Sequence, residues 1–264
     1  MNLLLVLLAA HADTETVLSY ADVGFEPARL EQLASGPDHI AAGPDGLIAM
    51  FDPVNLRIIV IRKQMELRSF SAPFVDDVAF TPEGHLVLLE GRSRVVSLWS
   101  QDGVHLDQRP LPGLVPAGIR LSVDGDEIYA KDIFGNRHPV AAVDGQQFID
   151  SEGPRLLPPI HTVKWMGWGF EVDDVRIPLP PVINEAAHAG AQVVGDHWLL
   201  IDAVMKENPI AVTRVALHLE TGKIQSLPVD NRHYVPQQDV DAWGGVLFYL
   251  DPQADGLHLH EVGR

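Results

Sequence analysis

The sequence predicts an all-β fold made by repeating one small antiparallel sheet, and three observations predict it. The first is a recurring order of elements: a glycine turn, an apolar run, and an acidic residue that closes the run. It reads "GLIAMFD" (46–52), "GHLVLLE" (84–90), "GDEIYAKD" (125–132), "GDHWLLID" (195–202) and "GVLFYLD" (245–251), with a looser copy, "GWGFEVD" (167–173). The closing residues Asp52, Glu90, Asp132, Asp173, Asp202 and Asp251 are 38, 42, 41, 29 and 49 residues apart. The second observation is what flanks these runs. An earlier short strand precedes each glycine ("HIAA", "DVAF", "GIRL", "TVKW", "AQVV", "DVDAW"), and a later one follows most anchors ("LRIIVIR", "RVVSLWS", "HPVAAVD", "IAVTRVALHL", "LHLHEV"). Such β-branched and aromatic runs, bounded by Gly, Pro and Asp, are strand signals. The third is the lack of an i, i+3, i+4, i+7 stripe over a dozen residues. Only "EPARLEQLAS" (26–35) suits a helical turn.

A unit of about 40 residues with three or four strands is the mark of a propeller blade, because one such sheet cannot bury both faces alone. The expected architecture is a single β-propeller of six blades, each of four antiparallel strands, over residues 13–264. The last unit stops one strand short, and "ETVLSY" (15–20) is free to supply it. Closing the ring this way would remove exposed sheet edges. The fourth unit fits worst. Either that blade is short, or five blades carry an insertion through "IPLPPVINEAAHAG" (177–190).

Composition narrows the function classes. With 36 acidic and 19 basic side chains the formal charge is -17, and no basic run exists to neutralise phosphates. Nucleic-acid binding is therefore excluded as an expectation, whereas a cation or a basic partner fits the field. The absence of cysteine rules out disulfides and thiolate metal sites, so a zinc site would need His and carboxylates. The N-terminus carries eight apolar residues, Leu3 to Ala10, followed by Ala10-His11-Ala12. That run is too short to span a bilayer and suits a signal peptide over residues 1–12, although no basic residue precedes it. A buried first strand is the other reading. Export predicts a periplasmic or extracellular protein, with no transmembrane segment in the mature chain.

At "DPVNLRIIVI", Asp52 to Ile61, the sequence resembles the NHL-repeat propellers, within the wider TolB-like and lactonase-like group. Their repeat closes its second strand with Asp and places Asn and Arg three and five residues on, as Asp52, Asn55 and Arg57 do here. Arg94 after Glu90, and Asn136-Arg137 after Asp132, echo it in part. The resemblance implies a six-bladed propeller and selects no function, since that architecture hosts binding proteins, lyases and lactonases. Physically, a carboxylate that ends a strand can accept N–H bonds from the following turn. Asp52, Asn55, Arg57, Glu90, Asp132, Asp202 and Asp251 are accordingly expected to be structural turn anchors.

Function is expected where the blades differ. Aligning the inner strands by their hydrophobic cores brings His39, Asp77, Gly118, His161, His188 and Asp239 to similar positions at one mouth of the channel, with Asp38, Asp76 and Gln238 just before three of them. Imidazoles and carboxylates there could hold a divalent metal: zinc or calcium, or by donor type manganese or iron. The metal candidates are His39, Asp77, His161, His188 and Asp239. The resemblance points the same way, because the NHL-like family includes amidating lyases that bind zinc through histidines at inner-strand starts. Here Asp38 stands where that pattern has His, and His39 comes one residue later. The competing account is that strand-start histidines only bond neighbouring loops.

Lesser candidates are His258 and His260 on one face of "LHLHEV", the tryptophans of "WMGWGF" (165–170), and the turn "DPQADG" (251–256), which lacks EF-hand spacing. No nucleophile elbow, P-loop or dinucleotide fingerprint is present, and the vicinal pairs Asp76-Asp77 and Asp173-Asp174 assign no acid/base couple. The expectation is an exported binding or scaffold module that takes a protein or small-molecule ligand on the channel face. The alternative is a metal-dependent hydrolase or lyase with a His/Asp site at the channel mouth.

Overall fold

A computed structural model describes residues 14–27, 34–62, 66–112, 120–132, 134–151, 157, 159–207, 212–229 and 238–263. The segment read as a signal peptide, Gly118, and residues 28–33 of the expected helical turn lie outside them.

Strand β1 (Thr14–Leu18) opens the chain and is followed by a four-residue helix, Tyr20–Val23, capped by the Ser19 hydroxyl. The first blade is β2 (Asp38–Ala42), β3 (Leu47–Asp52), β4 (Arg57–Arg62) and β5 (Glu66–Ser71). The second is β6 (Asp77–Phe80), β7 (Leu86–Glu90), β8 (Val95–Trp99) and β9 (His105–Pro110). The third is β10 (Arg120–Asp124), β11 (Glu127–Lys131), β12 (Arg137–Asp144) and β13 (Gln147–Ile149). The fourth has only β14 (Val163–Trp165), β15 (Gly169–Val172) and β16 (Val175–Pro178). The fifth is β17 (Ala186–Val194), β18 (Trp198–Met205), β19 (Val212–His218) and β20 (Ile224–Leu227). The sixth contributes β21 (Val240–Trp243), β22 (Val246–Pro252) and β23 (Leu257–Val262), and β1 completes it in the order β1-β23-β22-β21.

The fold is thus a six-bladed β-propeller closed by its N-terminal strand. Alternation along the strands explains why the blades stack. In β3 and β4, Ile48, Met50, Ile59 and Ile61 face the sixth blade and pack on Phe248, Leu250, Leu257 and Leu259. The intervening Leu47, Ala49, Phe51, Ile58 and Val60 face the second blade and pack on Val78, Phe80, Leu86 and Leu88. A period of two therefore feeds both faces of one sheet, and all six residues of β3 are buried. Each fully buried side chain of this size contributes about 1.5–3 kcal/mol. The second and third, fourth and fifth, and fifth and sixth blades share clusters of the same kind.

The N-terminal segment also docks on the first blade. Gly24, at φ 73°, lies so close to the Asp52 turn that a Cβ would sit 2.7 Å from Asp52 Oδ1. Arg57 donates to the Asp22 carbonyl from the same turn.

The fourth blade corrects the expected four strands per blade. "IPLPPVINEAAHAG" supplies the end of β16, a 3-10 turn at Pro181–Ile183, and the start of β17. The blade is short and there is no long insertion. Its direction also differs. The Nε2 of His161, before β14, is 3.8 Å from Asp196 beyond the end of β17. The Trp165 ring, at the end of β14, is 6.5 Å from the His188 ring near the start of β17. The strand β14 therefore runs antiparallel to β17. In the first and sixth blades the inner strands meet start to start, as Ile40 N–H to the Gln238 carbonyl shows at 3.0 Å.

Candidate functional site

The inner strands can be placed by the turn anchors. The residue opposite the one before each anchor is Asp38 (facing Phe51), Asp77 (Leu89), Arg120 (Lys131), Val163 (Val172) and Ala191 (Ile201). In the sixth blade Leu250 N–H bonds the Asp239 carbonyl at 2.8 Å. The equivalent residues at one end are thus Asp38, Asp77, Arg120 and Asp239, whereas Val163 lies in the reversed strand β14 and Ala191 in the middle of β17. His39 follows its slot in a β-bulge between Asp38 and Ile40, at φ 20°. Bulges re-aim side chains, and this one turns the imidazole into the protein. His161 and His188 precede their slots, and the reversal of β14 puts His161 at the other end of the strand pair from His188.

Charged groups from three blades act on His39: Asp38 of the first, Asp76 and Asp77 of the second, and Arg120 of the third. The histidine is 2% exposed, and neither ring nitrogen has a hydrogen-bond partner. The nearest carboxylate oxygen to its Nδ1 is on Asp38, at 3.6 Å. Burial holds its pKa below the ordinary histidine value, against the opposing pull of Asp38, Asp77 and Asp76. Asp77, also 2% exposed, accepts Leu121 N–H of the third blade at 2.6 Å and Val78 N–H at 3.0 Å. Arg120 Nη1 lies 3.8 Å from Asp77 Oδ1. Burial still pushes the Asp77 carboxyl above its ordinary range, although Arg120 and the Leu121 N–H oppose it.

Asp241 repeats the Asp77 device across the closing interface, where its Oδ2 accepts Ala42 N–H of the first blade at 2.7 Å. Part of the residue reaches solvent, but burial of the carboxyl drives its pKa to about 7, with Ala42 N–H opposing. Asp76 accepts Gly91 N–H at 2.6 Å. Asp239 faces elsewhere: Arg214 Nη1 reaches it at 2.6 Å while Arg214 Nε bonds Asp202 at 2.7 Å. Burial raises the Asp239 pKa, and Arg214 opposes the shift.

His161 bonds Asp173 at 2.6 Å, and Thr162 N–H bonds the same carboxylate at 2.7 Å. The Asp173 pKa is lowered by the Thr162 N–H first and His161 second. His188 is exposed beside Trp165. The structure therefore brings His39 and Asp77 together, and leaves Asp239, His161 and His188 with partners of their own.

The turn residues bond locally, with one correction: Asp202 lies inside β18, not at its end, and binds Arg214 of the paired strand β19 instead of a turn N–H. Asp52 Oδ1 accepts Val54 and Asn55 N–H at 3.1 Å each, and its Oδ2 accepts Asn55 Nδ2 and Arg57 Nε at 2.8 Å each. Asp132 takes the N–H groups of Phe134 and Asn136 at 2.9 Å. Glu90 accepts Ser93 and Ser97 hydroxyls at 3.0 Å, and Asp251 accepts Gln253 Nε2 at 2.7 Å.

Sequence reasoning missed Arg120, Asp241 and Glu15. Asp241 carried a signal, since it is an acid inside the short inner strand "DVDAW". Glu15 carried none. Among the described residues, the one group of three His or acidic ligand atoms lying within 4.8 Å of one another is Glu15, His258 and His260, and it contains none of the five expected metal candidates.

No family model matches the chain, and no curated protein matches it. Solved structures do resemble it. A protein of unknown function from Bacteroides thetaiotaomicron aligns at a TM-score of 0.50 and 12% identity, covering 95% of this chain and 76% of that one. The β-propeller domain of Cps50 (Swd1) from Myceliophteria thermophila aligns at 0.46 and 9% identity, over 95% and 100% of the two chains. Virginiamycin B lyase from Staphylococcus aureus aligns at 0.42 and 12% identity, over 96% and 89%. At such identities the likeness concerns the fold alone. Among the described residues, no helix is long and apolar enough to cross a membrane.

Proposed function

We propose that the protein is an exported, NHL-like propeller acting as a binding or scaffold module, with its ligand at the end where the inner strands β2, β6 and β21 begin. The observation that carries this reading is how the carboxylates there are employed. Asp77 and Asp241 each accept a backbone N–H from the next blade, and Asp239 binds Arg214. These acids brace the ring, which leaves Asp38 and Asp76 to give its inner end an acidic field suited to a basic protein segment or a small cation. Export is supported by the apolar run Leu3 to Ala10 ahead of Ala10-His11-Ala12.

The test is calorimetric titration with spermine and with an oligolysine peptide, at low salt and at high salt. Saturable binding that weakens with salt and with Asp38→Asn supports the reading. Binding unaffected by Asp38→Asn, or none, goes against it.

A second reading has one observation in its favour: His39 is buried among carboxylates with both nitrogens unbonded, as an imidazole awaiting a ligand would be. It makes the protein a metal-dependent hydrolase or lyase. Metal-dependent turnover of a lactone and ester panel, abolished by His39→Ala, would establish it over the binding module.

A further inference from the structure

The cluster at the closing seam lies on the outer strands of the sixth blade, uses none of the inner-strand residues, and stands independently of that reading. β23 places His258 and His260 two residues apart, hence on one face of the strand. β1 pairs with β23 so that Glu15 stands opposite His260 and Val17 opposite His258. On the other side β22 brings Tyr249 opposite His260 and Asp251 opposite His258. One sheet face thus collects two imidazoles and two carboxylates from three strands, one of them from the far end of the chain.

The distances suit a small cation. Glu15 Oε1 is 2.5 Å from His258 Nδ1 and 3.7 Å from His260 Nε2. Around a tetrahedral zinc with bonds of about 2.0–2.1 Å, neighbouring donor atoms stand about 3.4 Å apart. The His258–Glu15 hydrogen bond brings the two donor atoms together where a metal would be held, and opening it by about 1 Å makes room. The orientation of the rings is also fixed. His258 Nε2 bonds Asp255 Oδ1 at 3.0 Å, the carboxylate–imidazole arrangement that directs the opposite nitrogen of a metal-bound histidine. His260 stacks on Tyr249 at 4.5 Å between ring centroids, and its Nε2 is buried with no hydrogen-bond partner. Asp251 Oδ2, 3.8 Å from that nitrogen, is beyond hydrogen-bond reach and is placed to serve as a fourth ligand.

We propose that Glu15, His258 and His260 form a divalent transition-metal site of the zinc class, which pins strand β1 to β23 and so locks the ring shut. The N/O donor set favours zinc, cobalt or nickel over calcium, which prefers oxygen alone. Because the ligands come from the two ends of the chain, binding requires the closed ring, and metal must stabilise the closed state by mass action.

The experiment strips the purified protein with a chelator and titrates it with zinc by calorimetry. One equivalent is expected to bind, and the melting temperature should rise by several degrees and fall again on adding chelator. Glu15→Gln and His260→Gln should each weaken zinc binding at least tenfold and remove the thermal shift. Glu15 is half-exposed, so its variant is expected to fold, which circular dichroism checks. Cobalt(II) offers a second readout, since a low-symmetry N/O site gives it a strong visible absorption that Glu15→Gln should diminish. Absence of a stoichiometric zinc site, or unchanged zinc affinity in both variants, would overturn the proposal.

Discussion

The inner-strand end and the closing seam are built from the same residue types and use them in opposite ways. At the inner strands, the acids Asp77 and Asp241 are tied to backbone N–H groups of neighbouring blades, and the His39 imidazole is left with neither nitrogen bonded. At the seam the backbone is already paired strand to strand, so Glu15, His258 and His260 direct their ligand atoms at one another. The difference follows from where each lies. Inner strands of adjacent blades do not form a continuous ladder, so their N–H groups need side-chain acceptors. A strand inside a four-stranded blade leaves its side chains free for other work.

If that contrast holds, the largest loss of stability should come from Asp77→Ala. It leaves the buried Leu121 N–H and the Arg120 guanidinium short of a partner, which should cost about 2–4 kcal/mol in urea unfolding. A loss under about 0.5 kcal/mol would remove the case for carboxylate bracing.

Asp241 gives the next largest effect, with a definite pH signature. Its carboxyl titrates near 7 in the folded protein against 3.8 in the unfolded chain. A raised carboxyl pKa means that its contribution is full below about 4 and is lost as pH rises to about 7. Asp241→Asn keeps an acceptor for Ala42 N–H and carries no charge. It should stabilise the protein by about 1–3 kcal/mol at pH 8 and give no gain at pH 4, as thermal melts at the two pH values would reveal. Equal gains at both values would refute the assigned burial of this carboxyl.

At the seam, without metal, Glu15→Gln should cost less than about 1 kcal/mol, because the side chain is half-exposed and screened. A larger cost in chelator-treated protein would mean that the seam already depends on the His258–Glu15 bond alone. Smallest of all, Asp102→Asn removes an exposed partner of Arg68 far from both regions, and should change stability by under about 0.5 kcal/mol.

The first and fourth blades show how far the sequence could be read. "GLIAMFDPVNLRIIVI" alternates so that each sheet face meets its own neighbouring blade, and the Asp52–Asn55–Arg57 turn bonds within itself. Both are local properties, and both were legible. "TVKWMGWGFEVDDVRIP" was readable as strands, yet nothing in it announced that β14 would run against β17. Strand direction between blades is set by connections and packing. Likewise the slip of His39 into a bulge hides from a core alignment, because a bulge adds one residue without changing which flanking residues are apolar.

The sequence by itself determined the all-β class, the repeat of about 40 residues, the turn chemistry and the strand that closes the ring, because each depends on periodicity and nearby bonds. Only the tertiary structure decided which acids meet which N–H groups, and that Glu15 meets His258 and His260 across 243 and 245 residues. Contacts between blades, and between the two ends of a closed ring, depend on register and direction in three dimensions, which one-dimensional spacing does not encode.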